Sequence, residues 1–400
     1  MFDSGSTGFM LLATSLVMLM TPALAFFYGG LATKNNILGI MIQSFVSLGI
    51  TTVLWYVVGY SLCFSGNGPI IGNLDKAFFL GIDASTPFIG GKIPEYVFIA
   101  YQMMFAIITP ALITGAFTGR VKFNAYLIFL VFWQLLVYYP FVHMIWGGGF
   151  LQQWGILDFA GGIVVHVSAG FAALASVFYV GKRKETRLQP NNIPLVAVGT
   201  GLLWFGWYGF NAGSELSVDH ITVTAFLNTD IAASFATVTW LIIEGVKTGK
   251  PKFIGLMTGA VAGLATITPA AGFVPIWAAA LIGIIASAVC YCAVEFKNKY
   301  HWDDALDVWG VHGVGGFTGT ILLGIFASKA LNGAGADGLI FGGTSFFFKQ
   351  LLVTCVSAVY AFVFTFVMLW LINKVTRVRV TDEEEALGLD RSIHDEEAYT

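Results

Sequence analysis

Eleven apolar runs, each about as long as the roughly 20 residues a helix needs to cross a bilayer, leave this chain few folds to choose from. They fall at 8–32, 37–64, 95–118, 123–143, 158–180, 193–213, 220–246, 253–269, 274–296, 305–328 and 346–373. None alternates polar and apolar residues as a membrane barrel strand must, so the expected fold is an all-α integral membrane protein of eleven transmembrane helices. Composition agrees, with 57% hydrophobic residues, 11% charged residues and a mean hydropathy of +0.78. A soluble globular domain carries roughly a quarter charged residues. The first run lacks a basic lead-in and continues through Phe26, Phe27 and Tyr28, so it reads as a retained helix, bent at Pro22 and starting near Met1.

Basic residues orient the chain. With the N-terminus outside, the inner loops and tail collect Lys34, Arg120, Lys122, Lys182, Arg183, Lys184, Arg187, Lys247, Lys250, Lys252, Lys297, Lys299, Lys374, Arg377, Arg379 and Arg391. The outer side keeps only Lys76, Lys92, Lys329 and Lys349. Sixteen against four predicts an outside N-terminus, an inside C-terminus and an odd number of spans.

Two histidines, His166 and His312, each follow an aspartate, Asp158 and Asp304, by eight residues inside apolar runs. Ionisable groups at membrane depth mark functional sites by default. With eleven spans, Asp158 starts the fifth helix at the outer face and Asp304 starts the tenth at the inner face. Eight residues of helix place each imidazole about 12 Å below its own face, so the two lie within roughly 6 Å of one depth. A second echo has the same offset of five spans: Ile108-Thr109-Pro110-Ala111 returns as Ile267-Thr268-Pro269-Ala270. It fits a duplication, and it fits equally two independent helix ends or kinks. Five helices per half make an inverted repeat, spans 1 to 5 and 6 to 10, with the eleventh added and the site between the halves.

Small residues around both histidines, from Gly161 to Ala173 and from Gly310 to Gly319, let backbones approach closely and leave a narrow path instead of a wide pore. Trp146 and Trp204, Trp207, Phe210 and Ser214 gather toward the predicted outer mouth. Their faces and hydroxyl suit a compact cation bearing N–H donors, or they form an ordinary interfacial aromatic belt. His143 is expected at the interface, and His220, His301 and His394 in loops or the tail. Cys63, Cys290, Cys292 and Cys355 read as small packing residues. His166 and His312 lack a third ligand for zinc, so no metal is expected, and no cofactor either. There is no phosphate-cradling loop, nucleophile elbow or metal cluster to support an enzyme, and no basic aromatic stretch for nucleic acid.

The run from Asp158 through His166 to Gly181-Lys182-Arg183 closely resembles the signature of the ammonium transporter family, the Amt, Mep and Rh proteins. So do Phe210-Asn-Ala-Gly-Ser214, Ala265-Thr-Ile-Thr-Pro-Ala-Ala-Gly272 and Asp307-Val-Trp-Gly-Val-His312-Gly-Val-Gly-Gly. The likeness runs from Pro22 into the tail and is of the prokaryotic Amt type. Trp309 stands where the family often has phenylalanine. The resemblance implies an external ammonium site of Phe105, Trp146 and Ser214, a pore gate of Phe105 and Phe210, and pore imidazoles His166 and His312. Trp207 matches an aromatic of the pore wall. Asp158 matches an acidic residue near the recruiting site, where it caps a helix and steadies the field, or accepts a proton.

Ammonium and potassium are alike in size and charge, so a cation hole passes both. A dry lumen rejects both, yet ammonia crosses once a proton is removed, and paired neutral imidazoles can hold ammonia or pass a proton. The resemblance therefore implies ammonium transport for nitrogen uptake through a homotrimer in the cell membrane, with an ammonium sensor (transceptor) or an Rh-type neutral gas channel as alternatives. Trp146 with Ser214 argues against the gas channel, and the lack of a soluble signalling domain after residue 400 argues against the sensor. Residues 1–375 form the expected membrane domain and 376–400 a cytoplasmic tail, acidic from Asp382 to Glu385. That tail is either solvated or, as the resemblance implies, a regulatory segment that works with a PII-type protein of the GlnK kind, and deleting residues 382–400 is expected to alter regulation but leave the pore intact.

Overall fold

The computed structural model describes residues 2–88, 91–184 and 189–399, so the basic loop residue Arg187 falls outside the described residues. Among the described residues, ten helices are long and apolar enough to cross a membrane. They are α1 Ser4–Leu31, α2 Ile37–Phe64, α3 Glu95–Ala116, α4 Phe123–Gln153, α5 Gly162–Val180, α6 Ile193–Glu215, α7 His220–Thr248, α9 Ile276–Lys299, α10 Trp309–Phe326 and α11 Thr344–Val375. Between them α8, Phe253–Ile267, is a shorter apolar helix. The described residues form isolated bridges but no strand.

The eighth span is short for a local reason. Its 15 residues rise about 22 Å, less than the roughly 30 Å hydrocarbon core, and Pro269 then prevents the helix from continuing. Irregular backbone at that depth needs protein partners. The carbonyls of Ala271 and Val274 find one in the Asn228 amide, at 2.9 and 2.8 Å. Pro110, by contrast, sits inside α3. The repeated tetrapeptide still shares one device, because Thr109 and Thr268 each donate a hydroxyl to the carbonyl four residues back, Phe105 and Leu264. Pro22 likewise lies inside α1.

The halves interlock through corresponding helices, α1 along α6 and α5 against α10. The second contact depends on missing side chains. A Cβ at Gly170 on α5 would stand 2.1 Å from the backbone of Gly313 on α10, so only glycine permits this approach. Both helices are π-helical where they carry histidine, over Gly162–Val167 and Trp309–Gly313. Such turns are rare and concentrate at functional sites.

The fifth and tenth helices begin four residues after the expected positions, Gly162 in place of Asp158 and Trp309 in place of Ala305. Each aspartate is spent on capping instead of starting the helix. The Asp158 carboxylate accepts the N–H groups of Gly161, Gly162, Ile163 and Val164 at 2.6 to 3.1 Å. Asp304 accepts those of Val308 and Trp309 at 3.1 and 2.8 Å. Eight residues of regular helix therefore do not separate aspartate from histidine, although the histidines meet.

The tail is folded, and solvation does not describe it. Two short helices, α12 Asp382–Leu387 and α13 Leu389–His394, lie against the loops at one end of the bundle. Asp390 is buried and accepts the N–H groups of Ile37, Leu38 and Gly39, capping α2 from the far end of the sequence. Nearby, Asp303 pairs with Arg183 at 2.6 Å and with the enclosed Arg120 at 3.1 Å. Burial raises the Asp303 carboxyl, but the Arg183 hydrogen bonds and the two guanidinium charges outweigh it and hold it below its ordinary value.

Candidate functional site

At the end of the bundle that carries the N-terminus, the chain brings together residues from α3, α4 and α6. Trp146 ends the regular helix of α4, and its indole N–H donates to the Asp158 carbonyl at 2.8 Å, which fixes the ring plane. Phe105 meets Trp146 edge-on at 6.1 Å and 89°. Below, Phe105 and Phe210 stack at 4.2 Å and 29°. Ser214 is half-exposed and donates its hydroxyl hydrogen to the Phe210 carbonyl at 2.8 Å. An aromatic face and a hydroxyl oxygen so placed can take a small cation with N–H donors.

Beneath the stacked rings lies a narrow cavity of about 10 Å³, walled by Leu24, Phe27, Ile108, Leu203 and Val261 together with His166, Trp207 and His312. The two imidazoles are nearly coplanar, at 14° with centroids 5.3 Å apart, and their Nδ1 atoms approach to 3.3 Å. A hydrogen bond there needs one Nδ1–H donor and one Nδ1 acceptor. A neutral pair so joined then presents one Nε2 lone pair and one Nε2–H, a partner for each side of an ammonia molecule. The Nε2 of His166 is buried and has no partner. Trp207 stacks on His166 at 5.6 Å and 19°, and its own N–H is held by Thr268 at 2.9 Å.

Phe27, Val261 and His312 also border a second cavity of about 200 Å³, which continues past Tyr28 to Pro190, Ala305 and Asp307 at the tail end. Asp304 sits behind that wall. Burial pushes its carboxyl up to about 6, against the pull of the neighbouring Lys297. Of the eight residues proposed from the sequence, His166, Trp207, Phe210 and His312 line the cavity, Phe105 stacks on Phe210 and meets Trp146, Trp146 holds the Asp158 carbonyl, and Ser214 stands one turn beyond Phe210. Among the described residues no group of three His, Cys, Asp or Glu side chains is placed to hold a metal ion.

His143 is wholly buried, with its ring nitrogens 2.9 and 2.7 Å from the carbonyl oxygens of Cys63 and Gly68. The apolar run was expected to stop at residue 143, but helix continues to Trp146 and leaves the imidazole enclosed. Cys292 and Cys355 are exposed, whereas Cys63 and Cys290 are buried as packing residues should be. Sequence reasoning missed Tyr101 and Thr268, which hold Phe210 and Trp207. Tyr101 lies one turn before Phe105 and Thr268 in the repeated Ile-Thr-Pro-Ala, but neither position showed in the sequence which partner it would hold.

A family model described as Ammonium Transporter Family matches residues 8–399. The chain belongs to the ammonium transporter family. The ammonium transporter of Bacillus subtilis (strain 168) is 44% identical over 397 residues, covering 99% of this chain and 98% of the relative. The crystal structure of Candida albicans Mep2 superposes with a TM-score of 0.90 at 34% identity, covering 96% of this chain and 87% of the other. A structure described as a sensor Amt protein reaches 0.89 at 30% identity, covering 97% and 98%. The chain is thus a multi-pass membrane protein of an ammonium-transporting family, with an all-helical fold.

Proposed function

We propose that this ammonium transporter recruits the cation at Trp146, Ser214 and Phe105, removes a proton near the Phe105–Phe210 gate, and passes ammonia along His166 and His312. The proton follows separately, relayed by the imidazole pair. One observation carries the reading: two imidazoles joined through Nδ1 in an apolar void, with a buried Nε2 left unpartnered. In that void a bare ion loses its hydration with nothing to replace it, whereas ammonia loses little. Asp158 spends both carboxylate oxygens on four backbone N–H groups, which favours its part in capping and field over proton acceptance.

The basic residues put the tail end in the cytoplasm and the Trp146 end outside, in the cell membrane. There residues 376–400 act as a regulatory segment for a PII-type partner of the GlnK kind, and the working assembly is a homotrimer. Transport, and not sensing alone, is tested by ammonium pulses on reconstituted protein over a solid-supported membrane. A transient current is expected. A silent membrane with nitrogen flux intact would point to a neutral gas channel, and one with binding but no flux to a sensor.

A further inference from the structure

Tyr101 stands on α3 one turn before Phe105, and its side chain is wholly enclosed. The ring meets Phe105 edge-on at 5.0 Å and 62°. Its hydroxyl crosses to the last turn of α6, 2.8 Å from the carbonyl oxygens of both Gly209 and Phe210 and 3.3 Å from Ser214 Oγ. The Gly209 carbonyl already accepts the Gly213 N–H, so the phenol adds a second donor from another helix there and ties the neighbouring Phe210 carbonyl beside it. Room for it comes from residue 213, where a Cβ would sit 2.7 Å from the hydroxyl.

We infer that Tyr101 is a positioning residue of the ammonium-recruiting site, acting through Ser214 and Phe210 without touching the cation. The inference rests on the assignment of Ser214 to that site. Ser214 has one hydroxyl hydrogen, directed to the Phe210 carbonyl, and Tyr101 has one, directed to the Gly209 and Phe210 carbonyls. With both hydrogens spent, Ser214 Oγ offers lone pairs alone, an acceptor suited to an N–H cation. Without the phenol, the Ser214 hydroxyl loses its side-chain neighbour and is freer to turn its hydrogen away from the Phe210 carbonyl. The same phenol anchors the backbone of Phe210, whose ring closes the pore against Phe105.

The test is the concentration dependence of ammonium-evoked current for Tyr101→Phe, Ser214→Ala and the double variant. Tyr101→Phe is expected to raise the half-saturating concentration about fivefold, the size of one lost hydrogen bond, with the maximal rate unchanged. In the Ser214→Ala background it should add clearly less than it does in the parent. Gly213→Ala, which crowds the hydroxyl from the other side, should reproduce the shift if Tyr101→Phe does not assemble. Multiplying effects in the double variant, or a lower maximal rate at unchanged half-saturation, would overturn the inference alone. A Ser214→Ala variant that saturates like the parent would instead remove Ser214 from the site and overturn the assignment beneath it.

Discussion

Replacing His312 by alanine is expected to cut ammonium-evoked current by about a hundredfold, the lower end of what positioned proton-transfer groups contribute, and to admit potassium. The two effects share one cause. His312 and His166 each complete the other's Nδ1 contact at 3.3 Å, so removing either ring leaves the survivor with an unpaired buried nitrogen. It also opens space in a void whose other walls are apolar. Water that enters to satisfy the nitrogen ends the dryness that excludes ions. His166→Ala should behave alike and in addition release Trp207, which stacks on that ring. Current and selectivity are read on reconstituted protein, and an undiminished, potassium-excluding current in either variant would remove the pair from the mechanism.

The second large effect belongs to Asp158. Four backbone N–H groups at the start of the π-helical turn that carries His166 depend on its two oxygens. Each buried donor left unpaired costs about 1 to 3 kcal/mol, and whole proteins are stable by only about 5 to 15 kcal/mol. Asp158→Ala should therefore fail to yield folded protein. Asp158→Asn keeps one acceptor oxygen and sets its NH₂ group against two of the N–H donors, so it should fold with a markedly lower melting temperature and little transport. Thermal unfolding in detergent separates the two roles left open by the sequence. A variant that melts like the parent yet transports nothing would make Asp158 a proton acceptor instead of a cap.

Much of the site was legible in the sequence because membranes punish polar groups. His166 and His312 stood out against apolar runs, and inverted topology alone brought them to one depth. The aromatic and hydroxyl residues were legible through their motifs. Helix starts were not, since an aspartate before an apolar run looks the same whether it begins the helix or stands four residues ahead and gathers free N–H groups. The π-helical turns leave no periodic signature in so apolar a segment, and α8 hid its shortness because the Thr268-Pro269-Ala270-Ala271 turn is as apolar as the helix before it. His143 and Tyr101 owe their roles to loops and helices distant in the chain, Cys63 and Gly68 for one, Gly209 to Ser214 for the other. Residue spacing carries no trace of such contacts.

Selectivity between two cations of nearly equal size tests the central claim, that nitrogen crosses this membrane as ammonia after giving up a proton. Ammonium and potassium pulses of equal concentration should be applied to the unaltered protein on a solid-supported membrane. The expected result is a saturating current for ammonium and none for potassium, with potassium unable to block the ammonium signal. A potassium current of comparable size would mean that the ion passes intact, and deprotonation at the Phe105–Phe210 gate would be excluded.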